Sequence, residues 1–383
     1  MRYMIFGAGL AGREAFEKIG AEQVDYFIDN SKEKQGTLFC GKPVISVEDA
    51  AERKDEYHVI VTSIYAESMM LQLKTMGFAH VSRAKEGIRG FYENTPLIFN
   101  PYEYSEEATS EEEWIKNEKL RLSIKSVNDE VELLQKDVPL FSHIEIETVN
   151  RCNGSCEFCP VNHRDDPREY AMMTEEMFQS IVKQLEELEY SGRFTTFSNN
   201  EPLLDERIID FNRYARKHLP KARMHMYTNG TLLTLDKFQA LVEVLDELII
   251  DNYQQDLQLI KPCREIVEYC KEHPQLESKV TIVLRKPKEI LTSRGGTAPN
   301  RKILKEYGKE RCVLPFKQMI VRPTGQISLC CNDAIGKYTL GDLNKEKLVD
   351  IWFGPRFQMV RKCLYEGREN WGNCKYCDTF FMG

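Results

Sequence analysis

The sequence predicts an α/β protein with more than one domain, and three observations carry that expectation. Strand-like and helical runs alternate over the first 95 residues, the pattern of a parallel sheet with crossover helices. At 383 residues the chain is long enough for two or three hydrophobic cores. Twelve cysteines gather mainly in two sets whose spacing reads as metal ligation rather than as a disulfide framework.

The front domain, residues 1–95, begins with the strand Tyr3-Met4-Ile5-Phe6, followed by Val24-Asp25-Tyr26-Phe27-Ile28 and Val59-Ile60-Val61-Thr62, with helical stretches between them. Gly7-Ala8-Gly9-Leu10-Ala11-Gly12 follows the first strand and opens a helix. In that context Gly7, Gly9 and Gly12 can seat a phosphate on a helix N-terminus. Asp29 ends the second strand where a ribose-binding acid would sit. The same glycines also serve a tight turn and close helix–strand packing with no ligand at all. Residues 96–138 read as a linker: acidic residues Glu106, Glu107 and Glu111–Glu113, then Leu120, Ile124, Val127, Val131 and Leu134 on one helical stripe. Two heptads are too few for a coiled coil, so a packed connector helix is expected.

The strand Ile144-Glu145-Ile146-Glu147-Thr148 leads into Asn150–Pro160, which presents Cys152, Cys156 and Cys159 as C-x3-C-x2-C. Four-iron clusters normally take four cysteines. Three ligands leave one iron open, as an open position separates catalytic from structural metal sites. A zinc site completed by His163 is the competing reading, set against it by the charged run His163-Arg164-Asp165-Asp166, which is expected to be exposed. Downstream, Phe194–Ser198 runs into Asn199-Asn200-Glu201-Pro202, and Met226-Tyr227 into Thr228-Asn229-Gly230-Thr231. Arg285 closes the run Val283-Leu284-Arg285.

A second cysteine set stands near the C-terminus. Cys312 and Cys330 are spaced C-x12-G-x4-C, and Cys374 and Cys377 form C-x2-C. Met319-Ile320-Val321, the Pro323-Thr324-Gly325 turn and Ile327-Ser328-Leu329 predict a hairpin that carries Cys330 back towards Cys312. Four thiolates close a cluster, or a zinc ribbon. Most of Cys40, Cys263, Cys270 and Cys363 are expected to be inert buried thiols. Cys331, beside a ligand, is a candidate hydrogen donor to a substrate radical.

Composition narrows the function further. A net charge of −8 disfavours a nucleic-acid backbone as partner. No apolar run approaches the ~20 residues that cross a bilayer. Met1–Gly7 starts a strand directly, with no secretory pattern, so a cytoplasmic enzyme is expected.

The cysteine loop, Glu201-Pro202-Leu203-Leu204 and Thr228-Asn229-Gly230 resemble the radical S-adenosylmethionine (SAM) superfamily. The resemblance implies a partial (β/α)6 barrel at residues 139–304, with a [4Fe–4S] cluster on Cys152, Cys156 and Cys159. SAM would chelate the open iron and be cleaved to a 5′-deoxyadenosyl radical. It places Phe158 over the adenine, Asn200, Glu201, Thr228 and Asn229 against SAM, and Arg285 near its carboxylate. Asn199-Asn200 stands where the family has Gly-Gly, so the backbone approach is expected to differ. Residues 305–383, with Cys312, Cys330, Cys374 and Cys377, Leu340–Leu343 and Trp352, resemble the SPASM/Twitch extension and imply an auxiliary [4Fe–4S] cluster. The front domain, through Phe27-Ile28-Asp29-Asn30 and Cys40–Ile45, resembles the small Rossmann-like domains of bacterial sugar and polysaccharide biosynthesis proteins. It implies a nucleotide or nucleotide-sugar ligand. Together these imply oxidation of a carbinol of a sugar-derived small molecule, with flavodoxin or ferredoxin as electron donor. Epimerisation and maturation of a ribosomally made peptide are the alternatives.

Overall fold

The computed structural model describes residues 2–62, 66–83, 97–102, 123–276, 279–301 and 306–380. Leu120 and the acidic stretch of the expected linker lie outside them. The chain divides into two compact units, Met1–Pro96 and Leu97–Gly383.

The described residues of the first unit form one sheet of six strands: β1 (Arg2–Phe6), β2 (Val24–Ile28), β3 (Leu38–Phe39), β4 (Lys42–Ile45), β5 (Tyr57–Val61) and β6 (Val81–Arg83). Their order is β3-β4-β2-β1-β5-β6, all parallel except the β3 edge. Strands covered on both faces must be apolar throughout. Accordingly Met4, Phe6 and Val59 pack into one cluster while Ile5, Phe27 and Ile60 pack into another.

Among the described residues the second unit holds nine strands: β7 (Ile98–Phe99), β8 (His143–Ile146), β9 (Arg193–Thr195), β10 (Arg223–Thr228), β11 (Glu247–Tyr253), β12 (Val280–Arg285), β13 (Gln318–Val321), β14 (Gln326–Ser328) and β15 (Thr339–Asp342). The order is β15-β14-β13-β8-β9-β10-β11-β12-β7. Strands β7 to β13 are mutually parallel. Five strands, β8 to β12, follow one another in sequence and in space. The strand in the sixth place is β7, which precedes the cysteine loop in the chain.

Side chains alternate across each strand. Ile144, Ile146, Phe194, Met224, Met226, Met319 and Val321 belong to the main apolar core. That core also takes Phe178, Ile181, Val182 and Leu185 of the Glu175–Glu187 helix, whose start is capped by Thr174 accepting from the Met177 N–H. The other strand face carries His143, Glu145, Thr195, His225 and Gln318 around an interior cavity. The core of the unit therefore lies between sheet and helices, and the concave side is polar.

The hairpin of β13 and β14 is antiparallel. It turns at Gly325, whose φ is +81°. Residues 123–134 are helical, with Val127 and Val131 buried against Val313, Phe316 and Phe380. No helix of the described residues is long and apolar enough to cross a membrane.

Candidate active site

A cleft of about 90 Å³ opens at the C-terminal ends of β8 to β11, lined among others by Cys152, Cys156, Cys159, Phe158, Asn200, Glu201, Thr228 and Asn229. Strand ends of parallel barrels converge on this face, so loops distant in sequence meet there. The cysteine loop wraps tightly around Gly154, whose N–H points at the Cys152 sulfur at 3.2 Å. A Cβ on Gly154 would sit 3.2 Å from that sulfur and 3.9 Å from the sulfur of Cys156. Asn153 ties the loop to β10, donating to the Thr231 hydroxyl at 2.9 Å and accepting from Asn229 Nδ2 at 2.8 Å.

Glu201 is 2% exposed. It accepts from the Thr228 hydroxyl at 2.6 Å, the Asn229 N–H at 2.8 Å and the Leu203 N–H at 3.1 Å. Burial pushes its carboxyl up to about 7. Asn200 accepts from the Ser198 N–H at 3.0 Å, and its buried Nδ2 has no hydrogen-bond partner, so a donor is held ready at the cleft. Phe158 lies 5.9 Å from the ring of Tyr253.

Arg285, expected near the SAM carboxylate, stands at the end of β12. Its guanidinium does not line the cleft; Nε is 2.8 Å from Glu289 Oε1, with Asp251 also among its nearby charges. Opposite charges draw it into that buried cluster. Arg294 lines the cleft instead, donating to Asn199 Oδ1 at 2.6 Å. His163, Arg164 and Asp165 are exposed, but the Asp166 side chain is only 4% exposed, pairing with Arg168 at 2.9 Å. Arg168 also donates to the carbonyls of Asn150 and Asn199, each at 2.9 Å. It thereby fastens the cysteine loop to the loop after β9.

Sequence reading missed Asp251, Tyr253, Arg294 and Arg168. Asp251 and Tyr253 had a signal, polar side chains at the end of the apolar run Leu248-Ile249-Ile250. The two arginines act from loops without pattern.

Cys312, Cys330 and Cys377 are buried, and Cys374 is half-buried. Burial pushes the Cys330 thiol well up, and Cys331, Cys374, Cys312 and Cys377 add to this as neighbouring negative charges. The four expected ligands thus come together. A buried cation organises them: Arg368, 1% exposed, donates to the carbonyls of Cys377 at 2.9 Å, Thr379 at 2.7 Å and Arg311 at 3.1 Å. Among the described residues no three His, Cys, Asp or Glu side chains converge as they would on one ion. Thiolates of a four-iron cluster each bind a different iron and stand farther apart than the ligands of a single zinc. The donor chemistry of both sets, thiols only, fits iron–sulfur clusters.

In the front unit, the structure gives the glycines and Asp29 local work. A Cβ on Gly12 would overlap the Gly7 carbonyl oxygen, whereas Gly9 faces open space. Gly7 has a φ of +124°. Asp29 accepts from the N–H groups of Ala8 and Ser31, both at 2.9 Å, and pairs with Lys34 at 3.0 Å.

An open parallel barrel with three thiols at its mouth, followed by a four-thiol appendage, defines an iron–sulfur enzyme of the radical SAM class. Residues 146–283 match the radical SAM superfamily, and residues 312–378 match SPASM, an iron–sulfur cluster-binding domain. The chain is a radical SAM enzyme with a C-terminal SPASM domain, and its cofactors are [4Fe–4S] clusters and SAM. It is 28% identical over 252 residues to the S-adenosyl-L-methionine-dependent 2-deoxy-scyllo-inosamine dehydrogenase of Niallia circulans, covering 63% of this chain and 94% of the relative. The crystal structure of BtrN in complex with AdoMet and 2-DOIA aligns with a TM-score of 0.55 at 27% identity, over 63% of this chain and 94% of that one. BtrN in an open conformation aligns at 0.48 and 24% identity, with the same coverage of both chains.

Proposed function

We propose that this enzyme oxidises a carbinol carbon of a cyclitol- or sugar-like small molecule to a ketone. One observation carries the reading. The SAM cleft and the polar barrel cavity share Phe197, Ser198, Asn199, Tyr227 and Arg294, and the cavity reaches Cys331 and Asn332, beside the C-terminal thiol set. A substrate seated there lies between the two clusters. The dehydrogenase similar over 94% of its length supports the same chemistry.

Oxidation of a carbinol removes one hydrogen atom from carbon, one proton from oxygen and one further electron. With SAM and the clusters bound, Cys152, Cys156 and Cys159 would hold the cluster that supplies radical chemistry for removal of the hydrogen atom, and Cys312, Cys330, Cys374 and Cys377 would hold one able to accept the electron. Glu145 is the proton acceptor. It lines the cavity, and burial pushes its carboxyl up to about 7, suited to accepting a proton near neutrality. Ser198 donates to it at 2.5 Å and Gln318 at 2.6 Å, which fixes its rotamer.

Within this reading Cys152, Cys156 and Cys159 hold the SAM-binding cluster and Cys312, Cys330, Cys374 and Cys377 the auxiliary one. Phe158 covers the adenine, and Asn200, Glu201, Thr228 and Asn229 surround SAM. Residues 1–95 form a separate nucleotide- or nucleotide-sugar-binding domain, 96–138 the connector, 139–304 the core and 305–383 the auxiliary domain. The enzyme works in the cytoplasm with flavodoxin or ferredoxin as donor. The test is anaerobic reconstitution, then a screen of amino-cyclitols, alditols and nucleotide-sugars for substrate-dependent 5′-deoxyadenosine and a matching ketone. Deoxyadenosine with an unoxidised product would overturn the reading.

A further inference from the structure

Parallel barrels ordinarily fill their interior with branched apolar side chains. Here the inward positions of β8, β9, β10 and β13 are polar, and they enclose a cavity of about 210 Å³. A water molecule needs roughly 10–15 Å³ of such space, so there is room for several waters or for one small ring. The walls are not satisfied by their neighbours. Thr195 is fully buried and His225 is 2% exposed. Thr195 Oγ1 and His225 Nδ1 both lie in this wall without a hydrogen-bond partner. His143 Nε2 likewise lacks one; the nearest carboxylate, Glu145, is 3.7 Å away. The two imidazoles stand 5.2 Å apart. Leaving such groups bare costs stability, which implies a polar occupant.

The kind of occupant follows from the donors. Burial and the nearby Arg193 push both histidines far below their usual range, so they stay neutral. Neutral imidazoles and a threonine hydroxyl exchange hydrogen bonds with hydroxyl or amino groups. Arg193 and Arg294 also line the cavity, so charge does not set the choice of ligand; size does, since about 210 Å³ has room for one small ring but not for a ring carrying a nucleoside diphosphate.

We infer that His143, Thr195 and His225 form a specificity chamber in the barrel wall beside Glu145. It holds the hydroxyl-bearing far side of a neutral ring, while the reacting carbon stays at Glu145 and Ser198. This rests on the proposed oxidation of a cyclitol- or sugar-like substrate, and it selects the bare ring over its nucleotide-linked form. Glu145 pairs with Thr195, and His143, paired with Arg193, lies one inward step towards the start of β8.

The test is calorimetric binding of myo-inositol, 2-deoxy-scyllo-inosamine and UDP-glucose to the reconstituted, SAM-loaded full chain, alongside 5′-deoxyadenosine assays. Thr195→Val removes only the hydroxyl; His225→Leu removes the Nδ1 acceptor, and His225→Asn restores a polar atom near it. The free rings are expected to bind about tenfold more weakly to Thr195→Val and His225→Leu, with recovery in His225→Asn. Substrate-independent SAM cleavage should not change, which separates this effect from unfolding. Wild-type affinity in both variants, or binding of UDP-glucose alone, would overturn the chamber. Ring binding that responds to the variants but triggers no deoxyadenosine would leave the chamber standing and refute the oxidation.

Discussion

Glu145 accepts from the uncharged Ser198 and Gln318, and its charged form is disfavoured chiefly by burial, with Glu147 adding to this and Arg193 and Arg294 opposing it. Raised to about 7, it is protonated and idle as a base below that pH. Turnover should therefore climb as pH rises through neutrality. Glu145→Gln should cut ketone formation by about 10²-fold or more while SAM cleavage continues, as read by the ratio of ketone to 5′-deoxyadenosine. Cys331 faces the same cavity with its thiol pushed up to about 12, chiefly by burial, so its hydrogen stays on sulfur. Were the reaction an epimerisation, that hydrogen would return to carbon, and solvent deuterium would appear in an inverted carbinol. Oxidation predicts a ketone, no deuterium at that carbon, and a Cys331→Ala enzyme that retains most of its turnover. These two residues were legible to different degrees. Cys331 stands out beside a ligand cysteine. Glu145 reads only as one polar step in an alternating strand, because its importance comes from Ser198 and Gln318, which arrive from the loop after β9 and from β13.

Elements impose their own requirements. After β10 the chain turns at Gly230 with φ +72°, and a Cβ there would stand 2.7 Å from the Ile250 Cγ2 methyl. Gly230→Ala should destabilise the second unit by about 2 kcal/mol, lowering the midpoint of thermal unfolding. In the front unit two glycines of one motif should behave differently. Gly9 has open space around its Cα and Gly12 has none. Gly12→Val should disrupt folding, whereas Gly9→Val should fold normally and weaken binding only if a phosphate docks at that turn, as a nucleotide titration would reveal. Near the C-terminus, replacing Arg368 with Met strands three carbonyls. It should cost on the order of 3 kcal/mol and lower the iron held by the SPASM domain. The glycine pattern was plain in the sequence. Arg368 was not, because one arginine in a charged helix end looks like any other until Cys377 and Thr379 fold back over it.

At the scale of the whole chain, seven thiolates in two sets imply roughly eight irons. Changing Cys152, Cys156 and Cys159 together to alanine should leave about half of that iron and abolish SAM cleavage, measured by iron assay and chromatography. The barrel and the auxiliary hairpin could be anticipated because strand, cysteine loop and turn follow one another locally. The polar lumen and the placement of β7 could not, since each depends on which distant strands become neighbours. The position of β7 bears on how this protein can be divided. Ile98 and Phe99 pair with Ile282 and Val283, so the outer edge of β12 is covered by chain that comes well before the first cysteine. A fragment begun at residue 139, just ahead of the cysteine strand, would shed that cover. It would present a bare row of backbone donors and acceptors on an apolar strand, the surface on which other chains nucleate aggregates. The segment ahead of the barrel is thus part of its solubility, and any recombination that keeps the catalytic core must carry residues 97–102 with it.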